Sequence, residues 1–237
     1  MTRGLIDRSA DALILVSAPW QLELPVPVAT VSSHHSVKGT TSVVLDHAGA
    51  AELGLRHLLD LGHRRIAFIQ GTAGIPDSEV RWSAIIDAAR RLGVPIASKL
   101  VAPILDPTPS SPQLGYDVTR RLLASGERFT ALFAFNDISA IGAIRALGEH
   151  GLRVPSDVSV LGFDDIESAT YLGPCLTTIR QPLQEMGKAA AEAVLRRIGR
   201  PREEWADERA QIVVAPELVV RETTASARAV APASSSA

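Results

Sequence analysis

Cysteine, long apolar runs and charge of either sign in excess are all scarce in this sequence. A single cysteine, Cys175, in 237 residues excludes an intramolecular disulfide and a cysteine-built zinc or iron–sulfur centre, and it reads as an inert thiol. No apolar run approaches the ~20 residues of a membrane span. Ala12–Val16, flanked by Asp7 and Asp11, is also too short for the core of a secretion signal. With 24 basic and 26 acidic residues the net charge is −2, so no overall field draws the chain to nucleic acid or to an anionic membrane. The G-x-S-x-G, H-E-x-x-H, G-x-x-x-x-G-K-[ST] and G-x-G-x-x-G patterns are absent as well. The resulting expectations are a protein that is not an enzyme, takes no cofactor and no metal, and works in the cytoplasm without a membrane partner.

What is present is alternation. Short apolar runs at Ala12–Val16, Val26–Val31, Ser42–Leu45, Ile66–Gln70, Leu100–Ile104, Ala131–Phe135, Val158–Gly162, Thr177–Arg180 and Ile212–Val214 are separated by helical patterns. The helical patterns cover Ala48–Leu61, Ser78–Leu92, Gln113–Ala124, Ile138–His150 and Leu183–Ile198. Continuous apolar strands are buried on both faces, and their alternation with helices predicts βαβ crossovers and parallel sheets, an α/β fold. Ser78 is suited to cap the helix that follows it. Pro201–Ala210, with its Arg-Glu-Glu and Asp-Glu-Arg clusters, reads as a solvated connector, and the Ala/Ser/Pro-rich end as a disordered tail.

In parallel sheets, ligands lie beyond the carboxyl ends of the strands. The polar residues there are Ser32 to His35, the Thr72–Asp77 loop leading to Arg81, Asn136-Asp137, Phe163-Asp164-Asp165 and Gln181. Together they form a hydrogen-bonding set suited to a neutral polyol or a nucleobase. Asn136 and Asp164, at the strand ends themselves, favour ligand contact. Asp137 and Asp165 favour helix caps or structural acceptors, and Arg81 is balanced between a ligand and an ion pair with Asp77 or Glu79. His34-His35 reads as a solvated loop.

The stretches LLDLGHRRIAFI (58–69), FNDISAIGA (135–143), GLRVPSDVSVLGFDD (151–165), LTTIRQP (176–182) and PELVVRE (216–222) carry a specific resemblance to the effector-binding core of LacI/GalR-family bacterial transcription regulators. The resemblance implies a periplasmic-binding-protein-like type I fold: two Rossmann-like lobes with parallel sheets, crossed three times by the chain, and a ligand in the cleft. It implies a partial amino lobe at 1–45, a carboxyl lobe at 46–181, a return helix and connector at 182–210, a carboxyl-lobe strand at 211–224 and the tail at 225–237. The effector contacts it implies are Arg81, Asn136, Asp164 and Gln181, with Ser32, Trp20 and Phe163 as further cleft wall and Trp82 as an alternative to Trp20. A sugar or related metabolite is the implied effector, and a homodimer the implied assembly. Operator DNA would be bound only through an N-terminal helix-turn-helix that precedes the residues present, which also leaves the amino lobe incomplete. Ser32 departs from the aspartate common at its position, and the 106–112 loop lacks an aromatic. A solute-binding receptor of a sugar transporter shares this fold and is the alternative.

Overall fold

In the computed structural model, residues 10–17, 24–34, 37–105 and 111–228 are described; Trp20, His35, most of the 106–112 loop and the end of the tail beyond residue 228 lie outside them. In chain order the strands are β1 (Leu13–Val16), β2 (Val28–Val31), β3 (Thr40–Leu45), β4 (Ile66–Gln70), β5 (Val101–Pro103), β6 (Ala131–Phe133), β7 (Ser159–Asp164), β8 (Thr177–Arg180), β9 (Arg209–Val214) and β10 (Glu217–Val219). The helices are α1 (His47–Asp60), α2 (Pro76–Leu92), α3 (Pro112–Ala124), α4 (Asp137–Glu149) and α5 (Leu183–Leu195). Among the described residues no helix is long and apolar enough to cross a membrane. The chain divides into two units, residues 1–47 with 181–216 and residues 48–180 with 217–237.

The smaller unit is a parallel sheet in the order β1-β2-β3-β9. One apolar stripe of α5, Met186, Ala190 and Val194 at four-residue spacing, closes over Ala29, Val31 and Val43. Two expectations are corrected here. The run Ile212–Val214 was assigned to the carboxyl lobe, but it is the end of β9, paired along β3 with Ile212 opposite Val43. Ile212 and Val214 pack against the α5 core, which exposed Arg209, Ala210 and Gln211, with no large apolar side chain among them, conceal. The 201–210 connector is also more than a solvated link. Trp205 is 3% exposed, and its ring lies where a Cβ on Gly39 (φ +70°) would come within 3.4 Å.

The larger unit carries the order β5-β4-β6-β7-β8-β10, parallel except for β10, which runs antiparallel to β8. Chain order reverses direction at β4: β5 adds on one side and β6 on the other. That is a topological switch point, the place in an open parallel sheet where a crevice forms. The central strands are buried on both faces, with Phe68, Phe133, Leu132, Leu161 and Ile179 at most 1% exposed. The edge of Trp82 packs on Phe68, with ring centroids 5.8 Å apart. Helices α3 and α4 touch backbone to backbone, because a Cβ on Gly115 would strike Ser139 and one on Gly142 would strike the Pro112 carbonyl. Helix α2 starts at Pro76 rather than at Ser78; proline at its first position needs no N–H partner, and Ser78 falls buried inside the first turn.

Residues 223–228 are held in place on the larger unit, against the expectation of disorder from 225. Short polar side chains, not apolar ones, hold it. Thr223, fully buried, donates from Oγ1 to the Val160 carbonyl and accepts from the Thr177 amide. Ser159 Oγ accepts from the Ala225 amide, the Ala225 carbonyl accepts from His63 Nε2, and Ala227 N donates to the Leu61 carbonyl. His57 Nε2 meets Thr224 Oγ1 at 2.9 Å. Burial lowers both imidazoles below the ordinary 6.5, opposed by Asp60 at His57 and by the Ala225 bond at His63. A depressed histidine pKa contributes stability that is complete above 6.5 and is lost as the pH falls through the folded value. Isosteric Thr223→Val should therefore lower the unfolding free energy by about 1–3 kcal/mol, since two buried backbone groups lose their partner. Protection of the Ala225 and Ala227 amides from exchange should weaken as the pH falls below 6.5. Protection that is independent of pH, after correction for intrinsic exchange, would refute the clamp.

Candidate functional site

Arg81 stands one turn into α2, on the helix that follows β4, and is 4% exposed. Its guanidinium is stacked on the Phe163 ring, 3.7 Å from the centroid, and lies 4.7 Å from that of Phe135. Two rings at this range attract the cation and fix its plane, so its donors project in set directions. One nitrogen, NH1, donates to the Phe135 carbonyl at 2.6 Å and NH2 to Asp77 Oδ2 at 2.9 Å. Asp164 Oδ1 lies 3.7 Å from NH1. Nε and the neighbouring Ser78 Oγ are buried polar atoms with no hydrogen-bond partner among the described residues. A buried donor left unpaired costs about 1–3 kcal/mol, so such a pair marks a place built for something more than packing.

The other candidates sort by position. Asn136, 6% exposed, is the N-cap of α4: its Oδ1 accepts from Ser139 N at 2.9 Å and from Ser139 Oγ at 2.6 Å. The residue before it supplies the carbonyl that Arg81 binds, so the ends of β6 and the start of α2 meet across the switch point. Phe163, 1% exposed, is the base of the guanidinium stack. Asp164 ends β7 at φ 117° and Asp165 follows at φ 59°, conformations that cost of order 1–3 kcal/mol each for a side-chain-bearing residue and cluster at functional sites. Arg81, Asn136, Phe163 and Asp164 thus converge at the carboxyl ends of β4, β6 and β7. Gln181 and Ser32 belong to the smaller unit. Ser32 follows β2 at φ 55° with its amide donating to Val43, and the Gln181 carbonyl accepts from Leu183. His34 tilts against the His47 ring at 5.3 Å, a packed contact instead of a solvated loop.

Sequence reasoning missed Phe135 and Ser78. Phe135 had a signal, an aromatic residue directly before the strand-end asparagine. Ser78, read as a cap, had none. Asp77 was expected as a surface partner of Arg81; the pairing is present, but the guanidinium is buried. Asp165 is a structural acceptor: Arg180 Nε binds it at 2.7 Å and Arg221 NH2 at 2.6 Å. Burial pushes its carboxyl up, but these two partners bring it below the ordinary 3.8. Asp137 is likewise an acceptor, fully buried beneath β7, where Gly162 leaves room for its Oδ1. Gly162→Ala would press a methyl directly on that oxygen and on Leu176. It should lower the unfolding free energy in urea by about 1–3 kcal/mol, and an unchanged midpoint would contradict this packing.

Residues 55–224 match the family model of the periplasmic binding protein-like domain. The PurR HTH-type transcriptional repressor of Pasteurella multocida is 35% identical over 187 residues, 78% of this chain and 54% of the relative. The chain thus spans about half the length of the curated relatives it matches. A phosphate complex of a sugar-binding LacI-family regulator from Escherichia coli superposes with a TM-score of 0.80 at 28% identity, covering 95% of this chain and 81% of that one. The lac repressor dimer bound to operator and an anti-inducer gives 0.78 at 26% identity, over 94% of this chain and 77% of that one. This chain therefore belongs to the periplasmic binding protein-like domain family, as an effector-binding core of the LacI/GalR type.

Proposed function

We propose that this chain is the ligand-sensing part of a transcription regulator, and that it holds a small effector at the switch point of its larger sheet. The observation that carries the reading is Arg81: a guanidinium buried between two rings, with Nε unpaired, beside the strained carboxylate of Asp164. A fixed fork of donors next to a carboxylate acceptor suits a molecule with adjacent hydroxyl or ring-nitrogen groups, a sugar or related metabolite. Asn136, Phe163, Gln181 and Ser32 are proposed as further contacts, the last two on the family resemblance alone. The protein is proposed to be a cytoplasmic homodimer and not an enzyme, with operator binding supplied by a helix-turn-helix of the whole regulator. That the matched relatives are named as repressors supports this reading over a transport receptor.

The ligand alters transcription only through unequal affinity for two conformations. Calorimetry against sugars, nucleobases, nucleosides and phosphorylated metabolites should find a binder. Arg81→Ala or Asp164→Ala should then weaken that binding by about 2–4 kcal/mol, through loss of charged hydrogen bonds in a desolvated site. Unchanged affinity in both folded variants would sink the site.

A further inference from the structure

Asp137 is the first residue of α4, where a carboxylate ordinarily faces solvent and the helix dipole. Here it is fully buried and turned the other way, under β7. Its Oδ1 accepts from Thr178 Oγ1 on β8 at 2.6 Å, and its Oδ2 accepts from the Ile166 amide at 2.9 Å. One side chain therefore joins the helix that begins after Asn136, the strand two places along the sheet, and the far end of the Asp164-Asp165 turn. That turn holds two adjacent non-glycine residues at positive φ, and strain of this kind persists only where the surroundings over-determine it. On one side the turn is tied by Asp165 to Arg180 and Arg221. On the other it is tied by the Ile166 amide to Asp137.

We propose that Asp137 is a positioning residue for the effector site: by accepting from the Ile166 amide it holds the strained turn, and so keeps the Asp164 carboxylate beside Arg81. The inference rests on the proposed site for its functional meaning, but its geometry does not depend on any ligand. The charged groups around this network are Asp164 and Asp165 in the turn, Arg180 on β8, Arg221 after β10 and Arg81 on α2; Gly162 of β7 and Thr178 of β8 bring none. Burial raises the Asp137 carboxyl, the Thr178 and Ile166 bonds pull it back and the Asp164 and Asp165 charges push it up, and the balance stands at about 6 against the ordinary 3.8. Ionised Asp137 accepts a charge-assisted bond from Ile166, and protonation replaces it with a weaker neutral one. The tie on the turn thus loosens as the pH falls through about 6.

The test is nuclear magnetic resonance of the 237-residue chain between pH 5 and 7.5 with no ligand present. The Ile166 amide and the Arg81 Nε–H signals should titrate together with a midpoint near 6, and Asp137→Asn should flatten both. Thr178→Val, which keeps the shape but removes a bond favouring the ionised form, should move the shared midpoint upward and provides the test if the asparagine variant does not fold. An Ile166 signal that titrates while Arg81 stays still would reduce Asp137 to a purely structural acceptor and overturn the proposal. So would an Arg81 titration that survives in Asp137→Asn. Failure to find an effector for Arg81 and Asp164 would remove the site and leave these signals as they are, so the two ideas fail separately.

Discussion

The stacking of one guanidinium between two phenylalanine rings is the interaction on which the larger unit's polar end depends. Arg81 is charged, and its burial is tolerable because Phe163 and Phe135 attract it through their faces while the Phe135 carbonyl and Asp77 satisfy two of its nitrogens. In return it ties three separate parts of the chain, the helix after β4, the end of β6 and the end of β7. A lysine there would carry the charge but not the plane, and the geometry around it would be undefined.

The sheet order explains why these parts are neighbours. Because β5 and β6 leave β4 in opposite directions, the segments that follow β4 and β6 part company and leave room between them. Into that room come the start of α2 and the cap of α4, while β7 brings in two residues with backbone angles that glycine would adopt more easily. Aspartates at those positions sacrifice local stability for carboxylates in set places. One pairs with arginines and anchors the turn; the other faces Arg81.

Much of this was legible beforehand, and the parts that were not share a cause. Stretches such as Ile66–Ile69 of β4 and Ala131–Phe133 of β6 announce themselves because burial on both faces makes them uniformly apolar. Arg209 to Gln211 are exposed and include no large apolar side chain, so the first half of β9 reads as linker and the strand falls in the wrong unit. Trp205, alone among charged residues, gave no periodic signal, yet it fills the space at Gly39. The strand-end rule found Arg81, Asn136 and Asp164 as a group. It could not show that Asn136 spends its Oδ1 on Ser139, or that Thr223 and Ala225 would be fastened by hydroxyls and imidazoles in place of apolar contacts. Composition reports what can be buried; it does not report which donor meets which acceptor.

The glycine contacts between α3 and α4 have a mechanical consequence. With no side chains between them at Gly115 and Gly142, the two helices cannot slide or separate without breaking van der Waals contact between main chains. A small tilt imposed at Asn136 would accordingly be carried rigidly into α3, and from there to the exposed row of Gln113, Asp117 and Arg120 on the outside of the unit. The pair is in effect a single block, with the Asn136 cap at one end and this exposed row on its outer side.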